Sequence, residues 1–138
     1  MRFMMLMIPQ GYEKAGPDKM PDPEAVAAMM KYNEALKDAG VLLSLDGLHP
    51  PSDGARISFP AGKATVAHGP FPETREALGG YWMIRVNSKD DAISWASRVP
   101  VNDGSIVEVR QVFEMEEFPE DVRAAAGDFP QRMKEAQP

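Results

Sequence analysis

The chain opens on an almost unbroken apolar run, Arg2–Ile8, in which Phe, Met, Leu and Ile follow one another with no polar break. Such a run predicts a strand buried on both faces and hence central in its sheet. Pro9-Gln10-Gly11 ends it, and a polar loop leads to Pro21. The period then becomes helical. Ala25, Ala28, Met29, Tyr32, Leu36 and Ala39 share one face. Asp22 stands as N-cap, Pro23 at the first helical position and Glu24 in the first turn, while Gly40 is placed to close the helix in a left-handed cap.

Residues 41–48 read as a strand that stops at His49-Pro50-Pro51. Two short strands, 56–59 and 64–67, flank Pro60-Ala61-Gly62-Lys63 as a small hairpin. Pro70 and Pro72 hold Gly69 and Phe71 extended; Pro72 then opens one helical turn through Leu78, broken by Gly79-Gly80. Residues 81–86 form a strand. Ser88 caps a second helix with Asp90 and Asp91 in its first turn, and Ala92, Ile93, Ala96 and Val99 are its buried stripe before Pro100 ends it. Residues 106–113 are the last strand, followed by an acidic tail with at most one short helix, about residues 119–126. The order is β-α-β, a small hairpin, then β-α-β. That predicts an α+β, ferredoxin-like split β-α-β domain over residues 1–113, with residues 114–138 as the tail.

Two helices cover only one side of such a sheet, and alternation says what lies on the other. On residues 81–86 one face carries Trp82, Ile84 and Val86, the other Tyr81, Met83 and Arg85. On the last strand Val107 and Val109 oppose Ile106, Glu108, Arg110 and Val112. The plain reading is a solvated face with a surface ion pair worth about 0–1 kcal/mol. The sharper reading is a homodimer with two sheets face to face and Arg85, Glu108 and Arg110 near a cleft.

Composition narrows the classes. Of 138 residues, 43% are hydrophobic and 26% charged, ordinary values for a soluble domain. The formal charge is −6, much of it in the tail, and no dense basic cluster appears, which disfavours nucleic acid as a partner. With no cysteine, disulfides, thiolate catalysis and cysteine metal sites are excluded. Ten methionines suit a surface or pocket that repacks. The apolar opening is too short to span a bilayer and makes a poor signal peptide, so a cytoplasmic protein with no membrane partner is expected. No phosphate-loop, dinucleotide or nucleophile-elbow pattern is present, and no cofactor is expected.

His49 and His68 are the only histidines, so imidazole acid–base work near neutral pH falls to one of them. Asp46 lies three residues before His49 and can orient it if the chain bends at Gly47. The competing reading makes His49 a partly exposed turn residue and His68 a surface substitution. These histidines with Asp46 and Glu73 lack the spacing of a metal-binding motif, and no metal is expected. Glu73 is first a dipole-complementing residue at a helical start. As a site residue it would accept a proton or bind a cationic group. Phe71 reads as a hydrophobic plug between prolines. Tyr81 opens a strand after Gly-Gly, where absent side chains permit close approach of a ligand.

The stretch HGPFPETREALGGYWMI resembles the signature of the DGPF (DGPFAETKE) domain proteins, relatives of the YCII-like family. DGLHPPSDGARISF, KDDAISWASRVP and EVRQVFEMEEF match the same family in the same order, so the resemblance covers residues 1–118. It implies a dimeric α/β barrel of ferredoxin-like protomers, a poorly defined function, and an association with genes for extracytoplasmic-function sigma factors. YCII-like relatives carry a proposed His–Asp pair in a cleft, but the first helix here holds no histidine to match it. His68 replaces the signature acid and Pro72 the following alanine. The expectation is a small-molecule binder or cofactor-independent enzyme with a dimer-associated cleft. Its walls would be His49, His68, Glu73, Tyr81, Arg85, Glu108 and Arg110, with Asp46 as a catalytic partner beside the histidines. A histidine would serve as general acid or base, and an arginine would hold an anionic substrate or enolate-like intermediate. The competing class is a non-catalytic interaction or regulatory module, with the tail as a docking segment.

Overall fold

A computed structural model describes residues 1–18 and 20–136. The main sheet comprises β1 (Arg2–Ile8), β2 (Leu42–Gly47), β5 (Gly80–Arg85) and β6 (Ile106–Gln111), in the order β2-β5-β1-β6. Every neighbouring pair is antiparallel. Helix α1 (Pro23–Asp38) connects β1 to β2, which β5 separates; α2 (Lys89–Ala96) connects β5 to β6, which β1 separates. Each β-α-β unit is thus split by one antiparallel strand. The hairpin of β3 (Ala55–Ser58) and β4 (Thr65–His68) forms its own two-stranded sheet.

Alternation on β1 and β5 decides where the core lies. Phe3 and Met5 from β1, with Trp82 and Ile84 from β5, are buried against Tyr32 and Leu36 of α1 and Ala92 of α2. Both helices therefore cover the same face. Tyr32 ties them together, packing edge-on to Trp82 at 5.7 Å while its hydroxyl donates to the Trp95 carbonyl of α2 at 2.7 Å. Burial pushes that phenol up to about 12. Trp82 Nε1 donates to Asn33 Oδ1 at 2.7 Å, so the core's largest ring leaves no orphan donor.

Several elements differ from the sequence pattern. The pairing of β2 with β5 shifts between Leu42 and Ser44, so Leu43 is an extra residue turned to solvent and β2 is shorter than expected. The first two turns of α1 are not buried: Ala25 and Ala28 are exposed, because the helix meets the core only from Met29 onward. No helical turn runs from Pro72 to Leu78; the backbone makes one turn, Thr74 N–H to the Phe71 carbonyl at 3.0 Å, and continues irregularly. The tail holds two helices where one was expected, α3 (Glu120–Ala126) and α4 (Phe129–Ala136). Phe129 and Met133 sit at i, i+4 spacing, and Asp128 accepts from the Arg132 side chain at 3.2 Å, a local signal the acidic composition conceals. None of these residues has a side chain in the central core.

Leu36 is 0% exposed at the centre of the helix–sheet contact. Leu36→Ala is expected to cost about 2–5 kcal/mol in urea unfolding, because packed neighbours close such a cavity only partly. Ala28→Ser on the exposed turn of the same helix should stay within about 0.5 kcal/mol.

Candidate functional site

Two regions gather the polar chemistry: a loop cluster beyond the end of β2, and the uncovered face of the sheet. In the loop cluster, Gly69 N–H donates to the Gly54 carbonyl at 2.8 Å, and His68 pairs with Ala55. A Cβ on Gly69 would stand 1.7 Å from the Pro51 carbonyl oxygen, so only glycine lets the two segments meet. The single turn over Pro51–Asp53 brings Asp53 back to His49, with Nδ1 and Oδ2 3.0 Å apart. Tyr12 closes the cluster, donating its hydroxyl to the Leu48 carbonyl. Burial, and next the Asp53 charge, raise the Tyr12 phenol above its usual range. His49 thus meets the turn through Asp53, while His68 ends β4 opposite Ala55, two residues past it. Each is exposed, and the His49 side chain retains 84% of its accessible surface.

Residue by residue, the uncovered face follows from strand register. One row crosses all four strands as Asp46, Tyr81, Leu6 and Glu108; the next runs Ser44, Met83, Met4 and Arg110. Met4, Leu6 and Met83 therefore make an apolar centre between two polar edges. On one edge Tyr81 donates its hydroxyl to Asp46 Oδ2 at 2.9 Å. That hydrogen bond is the largest cause of a phenol held above its ordinary value. On the other edge Arg110 Nη1 and Glu108 Oε2 pair at 3.2 Å, two residues apart on the same side of β6. At the far end Arg2 pairs with Arg85 in register and makes two bonds to Glu114, at 2.7 and 3.0 Å. Arg2 holds the Glu114 carboxyl below its usual value, with a smaller contribution from Arg85.

This geometry redistributes the expected site. Asp46, Tyr81, Arg85, Glu108 and Arg110 do share one face, but Arg85 lies four residues along β5 from Tyr81, about 13 Å away. Asp46 serves Tyr81, and the acid that meets His49 is Asp53, which the sequence reading did not weigh; its signal was the SDG turn four residues after the histidine. Glu73 stands apart from both regions, lining a cleft of about 360 Å³ with Lys14 and Arg75. Phe71 carries the Arg56 guanidinium over its ring at 4.4 Å. At Gly79-Gly80 the side-chain positions are taken by the protein: a Cβ at Gly79 would meet the Pro9 ring at 2.6 Å, and one at Gly80 the Asp46 carbonyl oxygen at 2.7 Å. A small pocket of about 180 Å³ lined by both glycines, Tyr81 and Met29 lies beside them. Among the described residues no three His, Asp or Glu side chains gather as a metal site, and no helix is long and apolar enough to cross a membrane.

A family model described as the YCII-related domain matches residues 1–116, which takes in the sheet, both core helices, the loop cluster and the uncovered face. An uncharacterized protein of Rhizobium meliloti (strain 1021) is 37% identical over 70 residues, 51% of this chain and 53% of that protein. The chain thus spans about half the length of this curated relative.

Gly69→Ala is expected to disrupt the β3–β4 hairpin while leaving the main sheet intact. Amide NMR signals of residues 55–58 and 65–68 should move, while those of Phe3, Met5 and Ile84 stay. Phenolate difference absorbance checks the second edge: in Asp46→Ala the Tyr81 step, identified by its absence in Tyr81→Phe, should fall toward its ordinary pH. An unmoved step would show that Asp46 does not hold the proton on Tyr81.

Proposed function

Because the chain belongs to the YCII-related domain family, we propose that it is a small-molecule-binding protein whose site is the uncovered sheet face, closed by the same face of a second copy. The observation that carries this reading is the row of Asp46, Tyr81, Leu6 and Glu108, with its neighbour row of Ser44, Met83, Met4 and Arg110. An apolar centre between polar edges has the layout of a surface built to be covered. Two such faces would pack about 10 Å apart, in the manner of a dimeric α/β barrel of ferredoxin-like protomers. The edges of that sandwich would stay open as clefts.

In such a cleft Tyr81 acts as a fixed hydrogen-bond donor. Asp46 orients its hydroxyl and disfavours its ionisation, so it presents a proton to a carbonyl or anionic oxygen. Arg110, paired to Glu108 and largely exposed, supplies positive charge for an anionic group or an enolate-like intermediate. His49 follows Asp46 by three residues, within about 10 Å along the chain, and its Asp53 partner orients the ring as a proton carrier at the cleft mouth. This chemistry needs no cofactor. The high exposure of His49 favours a second reading, a binding module without catalysis, in which Tyr81 and Arg110 recognise the ligand and no proton moves.

Sedimentation equilibrium and amide NMR with a set of small keto acids test the proposal together. The expected result is a dimer at micromolar concentration, with shifts at Ser44, Asp46, Tyr81 and Met83 that disappear in Tyr81→Phe. A monomer, or a keto-acid set that moves none of these amides, would overturn it. Deuterium uptake at the carbon beside the keto group, lost in His49→Ala, separates the enzyme from the binding module.

A further inference from the structure

At the end of the sheet away from Tyr81, the two termini of the described chain build a groove of about 900 Å³. The volume is in the range of small-molecule sites. Its floor comes from the start of β1 and the end of β5, and its wall from the segment after β6 and from α4. Residues 117–136 lie beyond the YCII-related match, and Pro130, Met133 and Lys134 of the outer wall are among them.

The groove's charges are unevenly satisfied. Arg2 and Glu114 neutralise one another through two hydrogen bonds. Glu117 turns its carboxylate back to accept from the Glu114 backbone N–H at 2.7 Å. Among the described residues, Arg85 and Lys134 make no ion pair, and Glu116 is the one lining acid with no hydrogen-bond partner. The lining side chains balance in charge, Arg2, Arg85 and Lys134 against Glu114, Glu116 and Glu117. The two cations without a hydrogen-bond partner among the described residues, Arg85 and Lys134, face only one such carboxylate, Glu116. The remaining walls are apolar and unusually open: Phe113 is 71% exposed although stacked on Phe118, and Met133 is 44% exposed. With Met1, Met115 and Pro130 they form a flexible apolar lining that gains from contact with another apolar body.

We infer that this groove binds an amphipathic organic anion, its carboxylate held by Arg85 and Lys134 and its hydrocarbon body laid against Phe113 and Met133. A purely polar anion would leave the apolar wall wet, and a neutral hydrocarbon would leave Arg85 and Lys134 without a partner. The inference uses neither Tyr81 nor the histidines, but Arg85 lies at the far end of the same sheet face, so it rests on that end staying open when a second copy covers the face.

The test uses the full chain with ¹³C-methyl methionine labelling and three probes: sodium decanoate, 1-decanol and decyltrimethylammonium bromide. Decanoate is expected to shift the methyls of Met1, Met115 and Met133 in a saturable way and to leave buried Met5 unmoved. Decanol and the ammonium should bind at least about tenfold more weakly, the loss expected for a missing or reversed charge partner. Arg85→Glu and, separately, Lys134→Glu should each weaken decanoate by a similar factor, with Met5 reporting that the fold is retained. Equal binding of decanoate and decanol, shifts centred on Met29 and Met30, or no saturable shift would each overturn the inference. Unchanged decanoate affinity in both variants would overturn it as well.

Discussion

Strand β1 lies between β5 and β6, and its alternation divides the molecule in two. Phe3 and Met5 face the helices, while Met4 and Leu6 face away. A one-residue slip in either pairing would exchange these sets and put the core in water. Antiparallel pairing of Arg2–Met7 with β5 and of Phe3–Ile8 with β6 holds the register, and the Tyr32–Trp82–Trp95 group fixes both helices over the same face. Everything polar that shares a surface does so because this register places it there.

The second determinant is the choice of partner made by each carboxylate. Asp46 is close to His49 in sequence, but on a strand it belongs to the row of Tyr81 and bonds across to β5. Asp53 lies past two prolines, yet its turn returns it to the imidazole. Glu114 closes the chain's last strand back onto Arg2 at its first. These pairings are set by register and turn geometry, and together they separate one expected cleft into a tyrosine edge, a histidine loop and a distal arginine groove.

Much of the fold was legible in the chain. The run Arg2–Ile8 has the bounds read from sequence, and Pro23 and Ser88 mark their helix starts; the Ser88 hydroxyl accepts from Asp91 N–H as a cap should. These signals are local. What escaped depended on distant contacts. Burial of α1 stops at Met29 because of where the helix crosses the sheet, and no periodicity records that. The glycines showed a need for close approach without saying by what; Pro51, Pro9 and Asp46 fill the space. Five residues of the expected site share one face because alternation is a reliable rule, whereas Glu73 and His49 sit on loops, and His68 at the end of a separate hairpin, whose paths only tertiary contacts decide.

The central claim is that the sheet face bearing Met4 and Met83 works as a covered surface. Methionine oxidation by dilute peroxide, read by mass spectrometry across a protein dilution series, tests it most directly. Met20, in the loop before α1, and Met30, on α1, are exposed and serve as references. The expected result is that Met4 and Met83 resist oxidation at high concentration and become reactive on dilution, while Met20 and Met30 react throughout. Reactivity of Met4 and Met83 that does not change with concentration would contradict the claim.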